Sequence, residues 1–294
     1  EKRVYALNDI SFSLFKGITY GILGESGCGK TTTARLISKM YKPAKGEILY
    51  YGDNKTEKSI FSLNRKETKK YLEKVKYVFQ DPSRSLNPRM NIETLLTSGL
   101  RYSSLWNGKD DAKNKARQAL IEVGLSPDDL SRYPQEFSGG QRQRISIARG
   151  LIMEPEILVC DEVVSALDVS VQGQLINLLT DLKIKRNLSY IFITHDLRVA
   201  TYFCDMIGVM YRGKIVEEGP AQNFWKDCSH PYTKLLFEGA MNTRTTNNSE
   251  VHSVLGIEKG CPFYDRCPVH EETCKNKCPE LFEKEPGHKV RCIK

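Results

Sequence analysis

The chain has 294 residues, 40% of them hydrophobic and 27% charged, which is typical of a globular protein with a sizeable core. No run approaches the ~18 consecutive apolar residues of a membrane-spanning helix, so the integral-membrane, collagenous and wholly disordered classes are excluded. The net charge is +8, and residues 54–76 hold eight basic residues against three glutamates. Such a run is usually a solvated helix face, and we expect no nucleic-acid partner.

Strands and helices are predicted to alternate along the first 200 residues. Apolar runs predict strands at 12–23, 46–51, 77–79, 157–160 and 190–193. Helices are predicted at 31–40, in the basic window 54–76, over 92–136 with loops at 107–108 and 126–127, and over 169–183. This alternation indicates an α/β fold with a mostly parallel sheet. The polar stretch 241–254 is expected to be a linker to a small C-terminal extension at 255–294.

A glycine-rich turn joins the first strand to the first helix. It fits the phosphate-loop pattern at every fixed position from 24 to 31. Its glycines let consecutive backbone N–H groups point toward phosphate oxygens, and the following helix adds the partial positive charge of its N-terminus. Lys30 is predicted to neutralise phosphate charge, and the Thr31 hydroxyl to bind Mg²⁺. The predicted nucleotide-binding residues here are Gly24, Glu25, Ser26, Gly27, Cys28, Gly29, Lys30, Thr31 and Thr32.

Two further segments carry chemistry suited to a nucleotide site. The strand at 157–160 leads to Asp161 and Glu162, at the strand end where ligands bind in open α/β sheets. Asp161 suits the outer shell of a magnesium ion, and Glu162 is placed to polarise an attacking water. Ser138 can cap a helix that begins at about Gln141, and two glycines between them allow an anion to approach. Because the chain already has a phosphate loop, this second helix end implies a phosphate presented by another subunit.

Taken in order, these motifs resemble the nucleotide-binding subunit of ABC transporters over residues 1–240. The resemblance is carried by the phosphate loop, Gln80 within 79–82, the element Ser138-Gly139-Gly140-Gln141, Asp161-Glu162, the segment 165–168 and His195. It implies a P-loop NTPase (ABC ATPase) fold with a RecA-like core, a helical subdomain at about 88–152 and a small cysteine-rich C-terminal extension. It also implies ATP and Mg²⁺ as ligands, and ATP hydrolysis coupled to substrate translocation.

The same resemblance assigns roles to individual residues. Two cassettes would close head to tail, each ATP lying between the Lys30 loop of one subunit and the Ser138 element of the other. Gln80 would sense Mg²⁺ and the γ-phosphate, and it would join Thr31 and Asp161 as a magnesium ligand. His195 would hold the γ-phosphate and the attacking water, with Glu162 as the general base.

Two positions depart from the family pattern. Val163 stands where a proline usually follows Asp-Glu, which alters only the turn. The aromatic residue that stacks on adenine normally lies a few residues further upstream than Tyr5. The chain opens with Glu1 rather than Met, so we expect that the natural N-terminus has been trimmed. Tyr5 is then the substitute for the stacking residue.

Several segments show a narrower resemblance, to the ATPases of dipeptide and oligopeptide importers and most nearly to the second of their two paired ATPases. They are 24–30, 85–90, 165–172, 230–234 and the cysteine-rich tail. The implied partners are a non-identical ATPase or a second copy of the chain, two transmembrane permease subunits and an extracytoplasmic substrate-binding protein. The implied location is the cytoplasmic face of the cell membrane. Nickel, glutathione and some sugar importers use similar ATPases, and a soluble ABC ATPase outside transport is a further alternative.

Five of the nine cysteines lie within the last 34 residues, which indicates a metal site because we expect no secretory signal. Only Cys274 and Cys278 have the close spacing of a structural zinc pair. The wider spacings also suit a [4Fe–4S] cluster, whose ligands need closeness in space, and uncoordinated thiols are a third alternative. Some importer ATPases carry such a cluster, and resemblance to their tail gives Cys261, Cys267, Cys274 and Cys292 as ligands, with Cys278 spare.

Overall fold

The computed structural model describes residues 5–52, 57–241 and 260–293, which form ten strands and eleven α-helices. The strands are β1 Thr19–Leu23, β2 Leu49–Tyr51, β3 Glu57–Ser59, β4 Val75–Val78, β5 Ile157–Asp161, β6 Ser189–Ile193, β7 Met206–Tyr211, β8 Lys214–Pro220, β9 Phe282–Glu285 and β10 His288–Val290. The helices are α1 Lys30–Ile37, α2 Arg65–Lys74, α3 Pro82–Ser85, α4 Ile92–Thr97, α5 Lys109–Glu122, α6 Gly139–Leu151, α7 Val169–Arg186, α8 Leu197–Phe203, α9 Phe224–Asp227, α10 Pro231–Met241 and α11 Glu272–Asn276.

The chain divides into two compact units, the first made of residues 1–33 and 192–294 and the second of residues 34–191. Strands of the first unit run in the order β1-β7-β8-β10-β9. β7 is parallel to β1, whereas β8, β10 and β9 each pair antiparallel with their neighbours. The described part of the C-terminal extension therefore continues the sheet of this unit through β10.

The strands at the centre of the first unit are buried on both faces, which is why β1 is apolar without alternation. A Cβ on Gly208 of β7 would lie 2.4 Å from the Tyr20 hydroxyl oxygen. Glycine at this position therefore makes room for the fully buried Tyr20 ring in the neighbouring strand.

In the second unit, β4 pairs in parallel with β5, and β6 is the next strand in the order. β2 and β3 form a separate antiparallel hairpin. Helices α4, α5 and α6 pack together through apolar positions such as Leu96, Ala116 and Ile145, all nearly inaccessible to solvent. These helices lie within the range 88–152 that was expected to form a helical subdomain.

Several predicted elements are confirmed and others are wrong in extent. The strands at 157–160 and 190–193 and the helix at 169–183 lie within β5, β6 and α7. The predicted strand 12–23 begins only at Thr19, because a turn with Gly17 at φ 75° interrupts it. The basic window is not one helix: β3 occupies part of it, and α2 starts at Arg65, where Asn64 and Glu67 form a capping box.

The predicted helical stretch 92–136 is also interrupted. It contains α4, α5 and three short 3₁₀ turns, and Gly108 at φ 93° precedes α5. The predicted linker 241–254 lies outside the described residues from position 242 onward. No helix in the described part of the chain is both long enough and apolar enough to cross a bilayer.

Candidate active site

The predicted phosphate loop connects β1 to α1, as the sequence pattern requires. Gly24, Gly27 and Gly29 have φ values of 149°, 79° and 112°, which L-residues with side chains rarely adopt. A Cβ on Gly24 would lie 2.2 Å from the Met210 carbonyl oxygen, so the loop also passes too close to β7 for a side chain. These glycines shape a turn whose backbone can surround an anion.

Lys30, the first residue of α1, is buried within this loop. Its Nζ donates hydrogen bonds to the carbonyl oxygens of Gly24 at 2.7 Å and Glu25 at 2.9 Å. Thr31 and Thr32 follow it in the first turn of α1 and are half-buried. The ammonium group is therefore inside the loop where a phosphate would need a positive charge.

Burial controls the chemistry of Cys28, the cysteine of the phosphate loop. Its Sγ lies 4.0 Å from Lys30 Nζ, which favours the thiolate. Desolvation is the larger effect, and it raises the pKa of this buried thiol above its ordinary value. Cys28 is therefore a small residue that fills space in the loop rather than an activated nucleophile.

The chain before β1 lies against the phosphate loop. Asn8 N donates to the Gly213 carbonyl oxygen at 2.7 Å, and Gly213 N donates to the Cys28 carbonyl oxygen at 2.9 Å. A Cβ on Gly29 would lie 2.7 Å from the Ala6 carbonyl oxygen. Half-buried Tyr5 directly precedes this contact, so the segment that carries the expected stacking residue is next to the loop.

His195 is exposed on the turn that follows β6. Thr194 N donates to the Ile22 carbonyl oxygen of β1 at 3.3 Å, and Asp196 N donates to Thr194 Oγ1 at 3.0 Å. The Asp196 carboxylate then caps α8 by accepting from the backbone N–H of Arg198 at 2.9 Å. The residues on both sides of His195 are thus fixed, while its imidazole reaches solvent.

In the second unit, β5 ends at Asp161, and Glu162, the second predicted carboxylate, follows it directly. Asp161 is buried and accepts a hydrogen bond from the Tyr77 hydroxyl of β4. Glu162 is half-buried and has a φ of 49°, in the left-handed region. Gln80 Nε2 donates to Glu162 Oε2 at 2.8 Å, so the structure brings together two of the predicted catalytic residues.

Tyr77 is a residue of this site that the motifs did not indicate. Its burial, together with the hydrogen bond to Asp161, raises its pKa well above the ordinary value and keeps the phenol protonated. The sequence offered one indication of this role: Tyr77 lies in the strand that leads directly to Gln80. Val163, the departure from the family pattern, is buried in the turn after Glu162.

The element at 138–141 forms the N-terminus of the 13-residue helix α6, two residues earlier than predicted. Ser138 Oγ accepts from Gln141 N at 3.4 Å, and Gln141 Oε1 accepts from Ser138 N at 2.9 Å, which completes a capping box. Ser138, Gly139 and Gln141 are exposed. A Cβ on Gly140 would lie 2.7 Å from Val171 Cγ1, so a larger residue there would require the Val171 side chain to shift.

Four cysteines of the extension surround one small cavity with a volume of about 20 Å³. They are Cys261, Cys267, Cys274 and Cys292, the four expected metal ligands, and Cys278 does not line it. Cys261 N donates to the Cys274 carbonyl oxygen at 2.7 Å, which holds two of the four segments together.

The thiols around this cavity influence one another. Burial raises the pKa of Cys261 to about 11, and the nearby thiols of Cys278, Cys274 and Cys292 contribute in the same direction. The nine cysteines form no disulfide. Within the described residues, no three Cys, His, Asp or Glu side chains have an arrangement that could already hold a metal ion. Cysteine sulfur is a suitable donor for a thiolate-bound metal, but the four sulfurs are not close enough together in this structure to coordinate one ion.

Comparisons with known proteins agree with this geometry. The family model described as ABC transporter matches residues 7–165, and that of the oligopeptide/dipeptide transporter C-terminal region matches residues 216–274. The oligopeptide transport ATP-binding proteins AppF and OppF of Bacillus subtilis (strain 168) are 42% and 46% identical to the chain. The alignments cover 98% of this chain and 89% and 90% of those two proteins.

Two solved structures of ABC proteins are also similar. The cbiO1 protein of Clostridium perfringens, part of an ABC transporter complex, superposes with a TM-score of 0.66 at 28% identity, covering 76% of this chain and 84% of that one. The ATP-binding cassette MJ0796, in a dimeric post-hydrolysis state with ADP and phosphate, superposes with a TM-score of 0.64 at 28% identity. The superposition covers 74% of this chain and 92% of that one.

The chain therefore belongs to the ABC transporter family, within the group of oligopeptide transport ATP-binding proteins. It is an ABC ATPase with the expected α/β P-loop fold, and the predictions of fold and enzyme class are confirmed.

Proposed function

We propose that the chain is the ATP-hydrolysing subunit that energises import of dipeptides or oligopeptides through a membrane ABC transporter. The observation that carries the proposal is the combination of a complete phosphate loop with a C-terminal region of the oligopeptide and dipeptide transporter type. Relatives named as oligopeptide transport ATP-binding proteins, and one of Brucella ovis named as a putative peptide import ATP-binding protein at 39% identity, support this substrate class over nickel, glutathione or sugars.

The proposed roles within the nucleotide site follow the family pattern residue by residue. Residues 24–32 bind the phosphates, with Lys30 as the cation, and Tyr5 stacks on adenine. Thr31, Gln80 and Asp161 are the magnesium ligands, and their oxygen donors are of the kind that this hard cation prefers. Mg²⁺, when bound, neutralises charge on the phosphates.

Hydrolysis is proposed to use Glu162 as the general base that accepts a proton from water, with His195 orienting that water and the γ-phosphate. The hydrogen bond from Gln80 to Glu162 supports this assignment, because it holds the carboxylate in place beside a second residue of the proposed site. Glu162→Gln should retain ATP binding and lower phosphate release at least about 100-fold. Glu154→Gln is the matched control, since Glu154 is exposed and has a similar left-handed φ of 50°. Normal turnover by Glu162→Gln would remove Glu162 as the base.

The proposed assembly pairs two cassettes head to tail, so that the exposed N-terminus of α6 in one reaches the ATP of the other. The second cassette is a non-identical ATPase or another copy of this chain. Two transmembrane permease subunits and an extracytoplasmic substrate-binding protein complete the importer, and the chain lies on the cytoplasmic face of the membrane. Affinity purification of the tagged chain from membranes should recover both permease subunits together with peptide-stimulated ATPase activity. Recovery of an active ATPase without any permease would contradict the importer assignment.

The extension is proposed to hold a [4Fe–4S] cluster as a structural staple, through Cys261, Cys267, Cys274 and Cys292. Their common cavity and the sulfur donor set support thiolate ligation, whether to iron or to zinc. Protein purified without oxygen should absorb near ~400 nm and contain roughly four irons per chain. One zinc and no colour would replace the cluster by a zinc site, and absence of both metals would refute metal binding by these thiols.

A further inference from the structure

One ion pair joins the C-terminal extension directly to the phosphate loop. Arg266 Nη1 lies 2.9 Å from Glu25 Oε2, and Arg266 Nη2 lies 2.9 Å from Glu25 Oε1. The planar guanidinium thus meets both carboxylate oxygens at once, the geometry that makes arginine pairs both strong and directional. The two residues are 241 positions apart in sequence.

Aromatic rings fix the arginine end of this pair. The Arg266 guanidinium carbon lies 5.7 Å from the ring centroids of both Tyr211 and Phe263, within the range of cation–π attraction. Those two rings pack edge to face at 5.2 Å, which fixes the surface on which the guanidinium rests. Arg266 is therefore held in place independently of its bond to the loop.

The same aromatic cluster holds the backbone of the loop at Glu25. The Glu25 N–H donates to the Tyr232 hydroxyl at 3.0 Å, and the Tyr232 ring packs against Tyr211 at 4.5 Å and Phe263 at 5.4 Å. The side chain and main chain of this one loop residue are thus both bound by groups outside the loop. Lys30 Nζ in turn donates to the Glu25 carbonyl oxygen, so a shift of Glu25 would move the partner of the phosphate-binding lysine.

Charge gives a second reason for the pair. Glu25 places a negative charge within a loop that is shaped to bind polyphosphate, and like charges at short distance repel each other. The bidentate arginine compensates that charge and holds the carboxylate to one side. Loss of the arginine would leave Glu25 both free to move and uncompensated.

We infer that Arg266 is a positioning residue for nucleotide binding, which acts through Glu25 to hold the phosphate loop in its binding conformation and to offset its negative charge. This inference rests on the proposed function, because it concerns the affinity of the same loop for ATP. It makes the C-terminal extension a part of the nucleotide site.

The test is a double-mutant cycle in the full chain, with the dissociation constant of a non-hydrolysable ATP analogue and Mg²⁺ as the readout. Arg266→Gln should raise this constant about tenfold, and Arg266→Lys should raise it less, because lysine keeps the charge but not the fork. In the Glu25→Gln background, Arg266→Gln should raise the dissociation constant by less than about twofold, since the negative charge that Arg266 offsets is gone. The control is Lys289→Gln, which removes a cation of the same extension that pairs at 3.7 Å with Glu218 of β8 instead of with a residue of the loop.

The outcomes separate the inference from the proposed function. Failure of the wild-type chain to bind the analogue would refute the proposed function. Normal wild-type binding with an unaffected Arg266→Gln variant would refute only the role of Arg266. An equal loss from Arg266→Gln in both Glu25 backgrounds, or an equal loss from Lys289→Gln, would reduce Arg266 to a general stabiliser of the extension and overturn the inference.

Discussion

Replacing Glu217 should loosen the C-terminal extension from the sheet of the first unit. This residue of β8 is 0% exposed. Its Oε1 accepts from Ser229 N at 2.6 Å and lies 2.7 Å from His288 Nε2, and its Oε2 accepts from His230 N at 3.1 Å. One carboxyl group therefore connects β8 to the start of α10 and to β10.

The hydrogen bonds of Glu217 set the expected loss of stability for each substitution. Glu217→Ala leaves two backbone N–H groups and one imidazole without their partner in the interior, and each buried polar group left unsatisfied costs about 1–3 kcal/mol. Glu217→Gln keeps the shape, and its oxygen can still face Ser229 and His288. Its NH₂ group then faces the His230 N–H, so one hydrogen bond is lost and the free energy of unfolding falls by about 1–3 kcal/mol.

The assay is urea unfolding followed by circular dichroism, with the free energy of unfolding compared at a common m-value. Glu283→Gln is the control, because Glu283 is exposed on β9 and its carboxylate accepts the nearby Gly287 N–H at 2.7 Å. It should change the free energy by no more than about 0.5 kcal/mol. A Glu217→Ala protein within about 1 kcal/mol of wild type would show that this carboxyl group does not hold the extension in place.

Three further predictions concern the nucleotide site. Lys30→Ala removes the cation that belongs to the phosphate loop itself and should weaken ATP binding at least about tenfold in equilibrium titration; unchanged affinity would contradict its role. Ser138→Arg should abolish hydrolysis in the assembled transporter while the isolated chain still binds ATP, and unaltered hydrolysis would exclude the head-to-tail arrangement. Because burial raises the pKa of Cys28, alkylation at neutral pH should be slower than for a free thiol and should accelerate as pH rises. Mass spectrometry of the modified peptide measures this rate, and fast labelling at neutral pH would refute the buried-thiol assignment.

Much of the local structure of the candidate site could be predicted from the sequence, because its motifs span short stretches of chain. The phosphate loop needs glycines at fixed spacing between a strand and a helix, and Lys30 follows them directly. The Ser138 capping box spans four residues, and Asp161 ends an apolar strand. Local backbone geometry decides such features, so the order of residues carries the information.

Predictions that depended on element boundaries were less accurate. The basic window contains a strand and a helix rather than one helix, because the Asn64–Glu67 capping box starts α2 at a defined point. The stretch from 92 to 136 is divided by turns, one of them before α5 at Gly108. Helical periodicity indicated the apolar faces there, but it did not mark where each helix begins.

Contacts between side chains far apart in sequence could not be predicted and are seen only in the fold. Gln80 contacts Glu162 across 82 residues, and Arg266 contacts Glu25 across 241. These contacts depend on parallel pairing of β4 with β5 and on the addition of β10 to the edge of β8. No local pattern encodes such pairings, because they arise from burying the faces of several elements at once. The motifs of the sequence thus predicted the ABC ATPase class that the comparisons confirm, and the fold brings the C-terminal extension to the phosphate loop.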